Sequence, residues 1–156
     1  MSQSTAGVVL DASVSLKLVL SEEFSEHARA LVEAALNERR PLFGPPLLFA
    51  EVTNALHQRV RRRDLTETEA ETALEQFLRL PIRQIHPERL YQQALAFART
   101  HRIRSIYDSL YVVLAQMLGT ELWTADRTLL NTLGQAAPWV RWIGDYPLPT
   151  HEGGQP

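Results

Sequence analysis

The chain of 156 residues contains no cysteine, and its only lysine is Lys17. The lack of cysteine excludes disulfides, thiolate metal sites and cysteine nucleophiles, and it is typical of a cytoplasmic protein. No apolar run approaches the roughly 20 residues that a membrane-spanning helix needs, so no membrane association is expected. Residues 1–5 also lack the basic and apolar regions of a secretion signal. These absences together predict a cytoplasmic protein.

The composition that remains is that of one globular domain. Hydrophobic residues make up 45% of the chain, enough for a single core. We place the domain at residues 7–146 and expect flexible termini at residues 1–6 and 147–156. The net charge of −2 argues against a general electrostatic coat for nucleic acid. The net charge is compatible with a local group of basic residues around a binding site. Arginine supplies nearly all the positive charge and is well suited to phosphate recognition.

Short apolar strands alternate with helical segments along the chain. Proline and glycine mark several boundaries: Pro45-Pro46 opens a helix, Pro81 stops one, and Gly119 suits a helix C-terminus. Thr66 and Glu69 form a capping-box pattern. The predicted strands are Gly7–Leu10, Pro41–Gly44, Ile82–Ile85, Glu121–Thr124 and Trp139–Ile143; the predicted helices are Ser13–Leu20, one from Ser25, Pro45 to about Arg62, one from Thr66, His86 to about Thr100, Ile106–Leu118 and Asp126–Leu133.

This alternation predicts an α/β fold in which helices cover both faces of a mostly parallel sheet of four or five strands. In such sheets, ligands bind beyond the carboxyl ends of the strands. Asp11 and Asp126 each come just after a predicted strand. We therefore expect both side chains at the same edge of the sheet.

Four acidic residues stand inside or at the end of apolar stretches, where a lone carboxylate is costly. They are Asp11, Glu51, Asp108 and Asp126. The three aspartates could each simply cap the helix that follows. Glu51 does not fit that interpretation, because its helical neighbours are apolar; it could pair with a buried arginine, but a catalytic or metal-binding role is the stronger interpretation. Asn54, three residues on, could orient the Glu51 carboxylate.

A single site explains all four acidic residues together. Crowded carboxylates repel one another and raise each other's pKa unless a cation neutralises them. A ligand set of oxygen atoms, without cysteine, favours Mg²⁺ or Mn²⁺ over zinc. The sequence thus predicts a divalent metal site built from residues far apart in the chain.

The segments around these acids resemble those of PIN-domain ribonucleases, especially the toxin subunits of bacterial VapBC-type toxin–antitoxin pairs. The four matching segments occur in the order found in that family, and the resemblance spans about Val8 to Ile143. They are Val9-Leu10-Asp11-Ala12-Ser13, Phe49-Ala50-Glu51-Val52-Thr53-Asn54-Ala55-Leu56, Tyr107-Asp108-Ser109-Leu110-Tyr111-Val112-Val113-Leu114-Ala115 and Trp123-Thr124-Ala125-Asp126-Arg127.

The resemblance implies a sandwich of helices around a parallel sheet and Mg²⁺-dependent endonucleolytic cleavage of RNA. It also implies a homodimer that is inhibited by a small cognate antitoxin. The family's acidic quartet carries over to Asp11, Glu51, Asp108 and Asp126, and its hydroxyl positions near the metal correspond to Ser13 and Thr124.

Within this hypothesis, Asp11, Asp108 and Asp126 hold the metal directly or through water. Glu51 orients or deprotonates the attacking water, or helps to hold a second ion. Substrate phosphates need cations around an anionic centre, and Arg59 and Arg61 near the end of the Glu51 helix are candidates.

Two other functions compete with this one. A phosphoaspartyl enzyme would use Asp11 as nucleophile, but such phosphatases need a second aspartate two positions on, where this chain has Ser13. A non-enzymatic module that binds RNA or a protein partner would use the carboxylates only for structure. Metal-dependent cleavage separates this second alternative from the enzyme.

Overall fold

The computed structural model describes residues 6–150. Its strands form one parallel sheet of five strands in the order β3-β2-β1-β4-β5. This confirms the predicted α/β class with a parallel sheet. The strands are β1 (Val8–Leu10), β2 (Leu42–Gly44), β3 (Ile82–Gln84), β4 (Glu121–Thr124) and β5 (Val140–Trp142); the helices are α1 (Ala12–Val19), α2 (Ser25–Asn37), α3 (Leu47–Arg61), α4 (Glu67–Leu78), α5 (Glu88–His101), α6 (Ile106–Leu118) and α7 (Arg127–Leu133), followed by a 3₁₀ turn at Ile143–Asp145.

The central strand β1 divides the core into two layers, because successive side chains of a strand point to opposite faces. Val9 packs into a large cluster that includes Phe77 of α4 and Val113 of α6. Val8 and Leu10 pack on the other face against side chains of α2. All three β1 side chains are almost fully buried. The result is the predicted three-layer sandwich, with β1 at its centre.

Most element boundaries lie within about two residues of the predicted ones, and the local chemistry explains why. Gly119 ends α6 in the left-handed conformation, with φ of 63°. Thr66 and Glu69 form both hydrogen bonds of the capping box at the start of α4. Asp11 caps helix α1, as its place before a predicted helix had suggested, and Ser13 lies inside the helix.

The predicted termini are only partly described. Residues 147–150 are exposed and contain no helix or strand, while residues 1–5 and 151–156 lie outside the described part of the chain. None of the helices within residues 6–150 combines the length and the apolar character needed to cross a bilayer.

The capping box gives a direct test of local stability. Thr66 Oγ1 accepts a hydrogen bond from Glu69 N at 3.1 Å, and Glu69 Oε2 accepts one from Thr66 N at 2.7 Å. Thr66→Ala removes the first of these bonds and should lower the free energy of unfolding by about 1 kcal/mol in urea titrations. The matched control is Thr68→Ala, an exposed change inside the same helix, which should stabilise the protein by a few tenths of a kcal/mol through helix propensity. Equal effects of the two changes would show that the cap contributes nothing.

Candidate active site

Asp11 lies at the carboxyl edge of the sheet, the edge where the C-terminal ends of the parallel strands meet. Leu10 of β1 is in register with Trp123 of β4, so the residues that follow, Asp11 and Thr124, emerge side by side. The Asp11 side chain is only 7% exposed. A carboxylate at this depth needs hydrogen-bond donors around it, and the fold supplies them.

Three donors hold the Asp11 carboxylate. Ser13 Oγ donates to Oδ1 at 2.6 Å, and the backbone N of Val14 donates to the same oxygen at 3.0 Å. Thr124 Oγ1 donates to Oδ2. Burial raises the pKa of Asp11; these three hydrogen bonds oppose that rise, and the charge of Asp126 adds to it. Asp11 is therefore both the cap of α1 and a rigidly held acid of the site.

The two hydroxyl residues also connect Asp11 to the segment that carries Asp126. Ser13 Oγ accepts a hydrogen bond from Ala125 N at 2.9 Å, and Thr124 Oγ1 accepts one from Asp126 N at 3.0 Å. Asp126 Oδ1 in turn accepts from the backbone N of a residue in the first turn of α7. The structure thus brings Ser13 and Thr124, the two hydroxyl residues named from the family resemblance, into contact with Asp11.

Asp108 lies in the first turn of α6 and does not cap that helix. The cap is Ser105, whose Oγ accepts a hydrogen bond from Tyr107 N at 3.2 Å. Burial raises the pKa of Asp108 to about 6, and the negative charges of Asp126, Glu51 and Asp11 contribute to this rise in that order. Asp108 therefore lies within electrostatic range of the other three predicted acids. We call Asp11, Glu51, Asp108 and Asp126 the acidic cluster.

Glu51 reaches the acidic cluster from α3, where it is half-buried. Its Oε1 accepts a hydrogen bond from the hydroxyl of Tyr111 on α6 at 2.5 Å. Burial raises the pKa of Tyr111, and the bond to Glu51 raises it further, so the phenol stays a neutral donor. The sequence had left open that Glu51 pairs with a buried arginine. Among the described residues its partner is Tyr111, and no arginine forms an ion pair with it.

The expected role of Asn54 finds no support in the contacts of the described residues. Asn54 is exposed, and no hydrogen bond within residues 6–150 connects it to Glu51. The buried stripe of α3 runs through Leu48, Val52 and Leu56, so a residue three positions after Glu51 turns towards solvent. The hydrogen bond to Glu51 comes from Tyr111 instead. Its spacing of three residues from Asp108 on the same helix is the sequence signal that could have identified it.

The acidic cluster has the chemistry of a site for a hard divalent cation. Its donors are carboxylate oxygens, supported by hydroxyl groups, which Mg²⁺ and Mn²⁺ prefer. The mutual repulsion that raises the pKa of Asp108 is the repulsion that a cation would relieve. Within residues 6–150, no three acidic or histidine side chains are already placed so that together they could bind one ion. The donor set fits a metal held by few direct contacts and by water.

The two basic residues predicted to contact RNA, both in the last turn of α3, differ in whether an acidic side chain already pairs with them. Arg59 forms an ion pair with Glu22, with 2.7 Å between Nη1 and Oε2, and Lys17 binds the other oxygen of the same carboxylate at 3.3 Å. Arg61 is exposed and forms no ion pair with another described residue. Nothing in the sequence pointed to Glu22 as a partner, because it lies 37 residues before Arg59.

Comparison with known proteins agrees with this geometry. The family model of the PIN domain matches residues 8–132. The chain is 35% identical to ribonuclease VapC3 of Pyrobaculum aerophilum over 124 residues, which cover 78% of this chain and 91% of that protein. It is 32% identical to ribonuclease VapC12 of Mycobacterium tuberculosis over 130 residues, covering 83% and 95% of the two chains. It is 34% identical to ribonuclease VapC9 of the same species over 132 residues, covering 83% and 92%.

A solved structure also has this fold. The crystal structure of PAE2754 from Pyrobaculum aerophilum matches with a TM-score of 0.66 and covers 90% of this chain and 85% of its own. At 21% sequence identity, this likeness shows the fold alone. Taken with the family model and the relatives named VapC, it means that the chain belongs to the PIN-domain family, as the sequence motifs had indicated.

The raised pKa of Asp108 predicts how a neutral substitution changes stability with pH. In the presence of a chelator, Asp108→Asn should raise the free energy of unfolding at about pH 7.5, because it removes a charge that burial and three neighbouring carboxylates disfavour. The gain should shrink as the pH falls through about 6 and vanish below the ordinary aspartate pKa of 3.8, where wild-type Asp108 is protonated in both states.

Urea unfolding at several pH values measures this effect. Asp64→Asn, an exposed change in the turn after α3 and outside the acidic cluster, is the control. A gain for Asp108→Asn that stayed constant with pH would contradict the assignment of the effect to the Asp108 charge.

Proposed function

We propose that this protein is a metal-dependent endoribonuclease that hydrolyses RNA phosphodiester bonds. The observation that supports this most directly is that the fold places Asp108 close enough to Asp126, Glu51 and Asp11 for their charges to raise its pKa, so that acids from four distant segments meet at one site. Relatives that are 32–35% identical over most of the chain carry the name ribonuclease. The acidic site and these names favour the same chemistry.

In this proposal Asp11, Asp108 and Asp126 hold Mg²⁺ or Mn²⁺, and Glu51 is a further candidate ligand. When bound, such an ion supplies positive charge that stabilises the charge developing on the phosphate and makes water a better nucleophile. The Asp11 carboxylate is held in one orientation by three hydrogen bonds, so it would bind the ion without rearranging. Asp108 is freer to adjust, because no hydrogen bond within residues 6–150 reaches its carboxylate.

Glu51 is suited to the proton-handling role. Tyr111 occupies only one of its carboxylate oxygens, Oε1, and the other can accept a hydrogen bond from water. A carboxylate within hydrogen-bond reach of the attacking water can orient it or take its proton. Ser13 and Thr124 are fully engaged in holding Asp11, so we assign them to support.

Asp11→Asn tests the proposed chemistry with little change in the fold. Asparagine caps a helix about as well as aspartate, so α1 keeps its cap while the site loses a negative charge. We expect RNA cleavage to fall at least about 100-fold, a loss of roughly 2.7 kcal/mol of transition-state stabilisation. The measurement is cleavage of a labelled RNA in Mg²⁺ or Mn²⁺, with thermal unfolding as the check on folding.

The matched control is Asp64→Asn, which should cut RNA at the wild-type rate. A chelator should abolish cleavage by the wild-type protein, and added Mg²⁺ or Mn²⁺ should restore it. Wild-type activity in Asp11→Asn would overturn the proposal. RNA binding that is unaffected by metal, with no cleavage, would instead select the non-enzymatic binding module.

Salt dependence tests the basic residues proposed to contact RNA. Each phosphate contact on single-stranded RNA contributes about 0.7 to the slope of log affinity against log salt concentration. Because Arg61 is exposed while Arg59 is paired with Glu22, Arg61→Gln should reduce this slope by about that amount and Arg59→Gln by less. Binding is measured in a chelator, so that cleavage does not interfere. An unchanged slope for Arg61→Gln would remove it from the RNA interface.

We also infer a cellular role as the toxin of a toxin–antitoxin pair, acting in the cytoplasm as a homodimer. The support is the VapC name of the relatives, together with the four family segments around the acidic cluster. The expected antitoxin is a small protein encoded beside this chain. Its co-purification with this chain and its inhibition of RNA cleavage would support the pair, and light scattering on the purified toxin measures the dimer.

A further inference from the structure

We propose that Tyr111 is a positioning residue that sets the orientation of Glu51 in the active site. This inference rests on the proposed function, because it concerns how one acid of that site is held. The observation that carries it is the 2.5 Å hydrogen bond from the Tyr111 hydroxyl to Glu51 Oε1, which joins α6 to α3 across the site.

The Tyr111 hydroxyl is buried and has this one partner. The side chain is 3% exposed and lies in the main hydrophobic cluster. A buried phenol needs a hydrogen-bond partner, and no other hydrogen bond of this hydroxyl is formed within residues 6–150. If Tyr111 served packing alone, a phenylalanine ring would fill the same space without introducing a polar group beside Glu51.

Glu51 needs such a constraint more than the other acids do. Asp11 and Asp126 are short side chains, each held by backbone N–H groups at the start of a helix. Glu51 has a longer side chain and lies within α3, where the backbone N–H groups are used by the helix. Its position is therefore set by a side chain from another element, and Tyr111 provides the only such hydrogen bond in the described part of the chain.

The position of Tyr111 on α6 couples the two acids. Asp108 and Tyr111 are three residues apart, so they share one face of the helix. One rigid element thus presents a carboxylate directly and places a second, Glu51, through a hydrogen bond. Because Tyr111 binds only Oε1, the other oxygen, Oε2, is left to accept a hydrogen bond from the attacking water or to bind the cation.

Tyr111→Phe tests this inference by deleting only the hydroxyl. Loss of a group that orients a ligating carboxylate costs about 10- to 100-fold in metal affinity or activity. We therefore expect the Kd for Mn²⁺, measured by titration calorimetry without RNA, to rise about 10-fold. The kcat for RNA cleavage should fall, with little change in KM. Tyr107→Phe is the matched control, since Tyr107 lies on the same helix and is 55% exposed; its Mn²⁺ affinity should equal that of the wild type.

A double-mutant cycle shows whether Tyr111 acts through Glu51. In a Glu51→Ala background, Tyr111→Phe should produce no further loss of Mn²⁺ affinity or kcat. Wild-type Mn²⁺ affinity together with wild-type kcat in Tyr111→Phe, or an equal loss with and without Glu51, would overturn the inference while leaving the nuclease proposal intact. If the wild-type protein itself neither binds Mn²⁺ nor cleaves RNA, the proposed function fails and this inference with it.

Discussion

The burial of Asp11 at the end of the central strand is the constraint on which this site depends. A carboxylate that is 7% exposed needs a donor for each oxygen, and the fold provides them from Ser13, Val14 and Thr124. Thr124 belongs to β4, so Asp11 receives this hydrogen bond only because β1 and β4 pair in parallel. The same pairing brings in Asp126, whose backbone N donates to Thr124. The pairing of β1 with β4 therefore both satisfies the buried Asp11 carboxylate and places Asp126 beside it.

The four acids differ in how firmly they are held, and this difference suggests their roles. Asp11 and Asp126 are tied to backbone groups, and Glu51 is tied to a side chain. Asp108 is held by none of the hydrogen bonds in residues 6–150, and its pKa is raised by the charges of the other three. Such a site can bind a cation by a small movement of Asp108, without having all its ligands in place beforehand. This agrees with the lack of a preformed three-ligand group in the described residues.

The fold was largely predictable because its signals are local. Apolar runs such as the one before Asp11 identified the strands, and residues with specific backbone preferences marked helix ends, as Gly119 does at φ of 63°. Alternation of strand and helix then implied parallel pairing, and parallel pairing implied one functional edge. The cap of α1 was predictable in the same way, since an aspartate placed between a strand and a helix commonly caps the helix, and Asp11 does so here.

Residue type and order alone were sufficient to nominate the acidic quartet, because a carboxylate inside an apolar stretch is costly wherever it occurs. They could not reveal the partners, since hydrogen bonds and ion pairs form between segments whose proximity arises only on folding. Tyr111 lies 60 residues from Glu51, and Glu22 lies 37 from Arg59. Tertiary packing therefore decided that a tyrosine, and not Asn54, forms the hydrogen bond to Glu51, and that Arg59 is paired with Glu22 while Arg61 faces solvent.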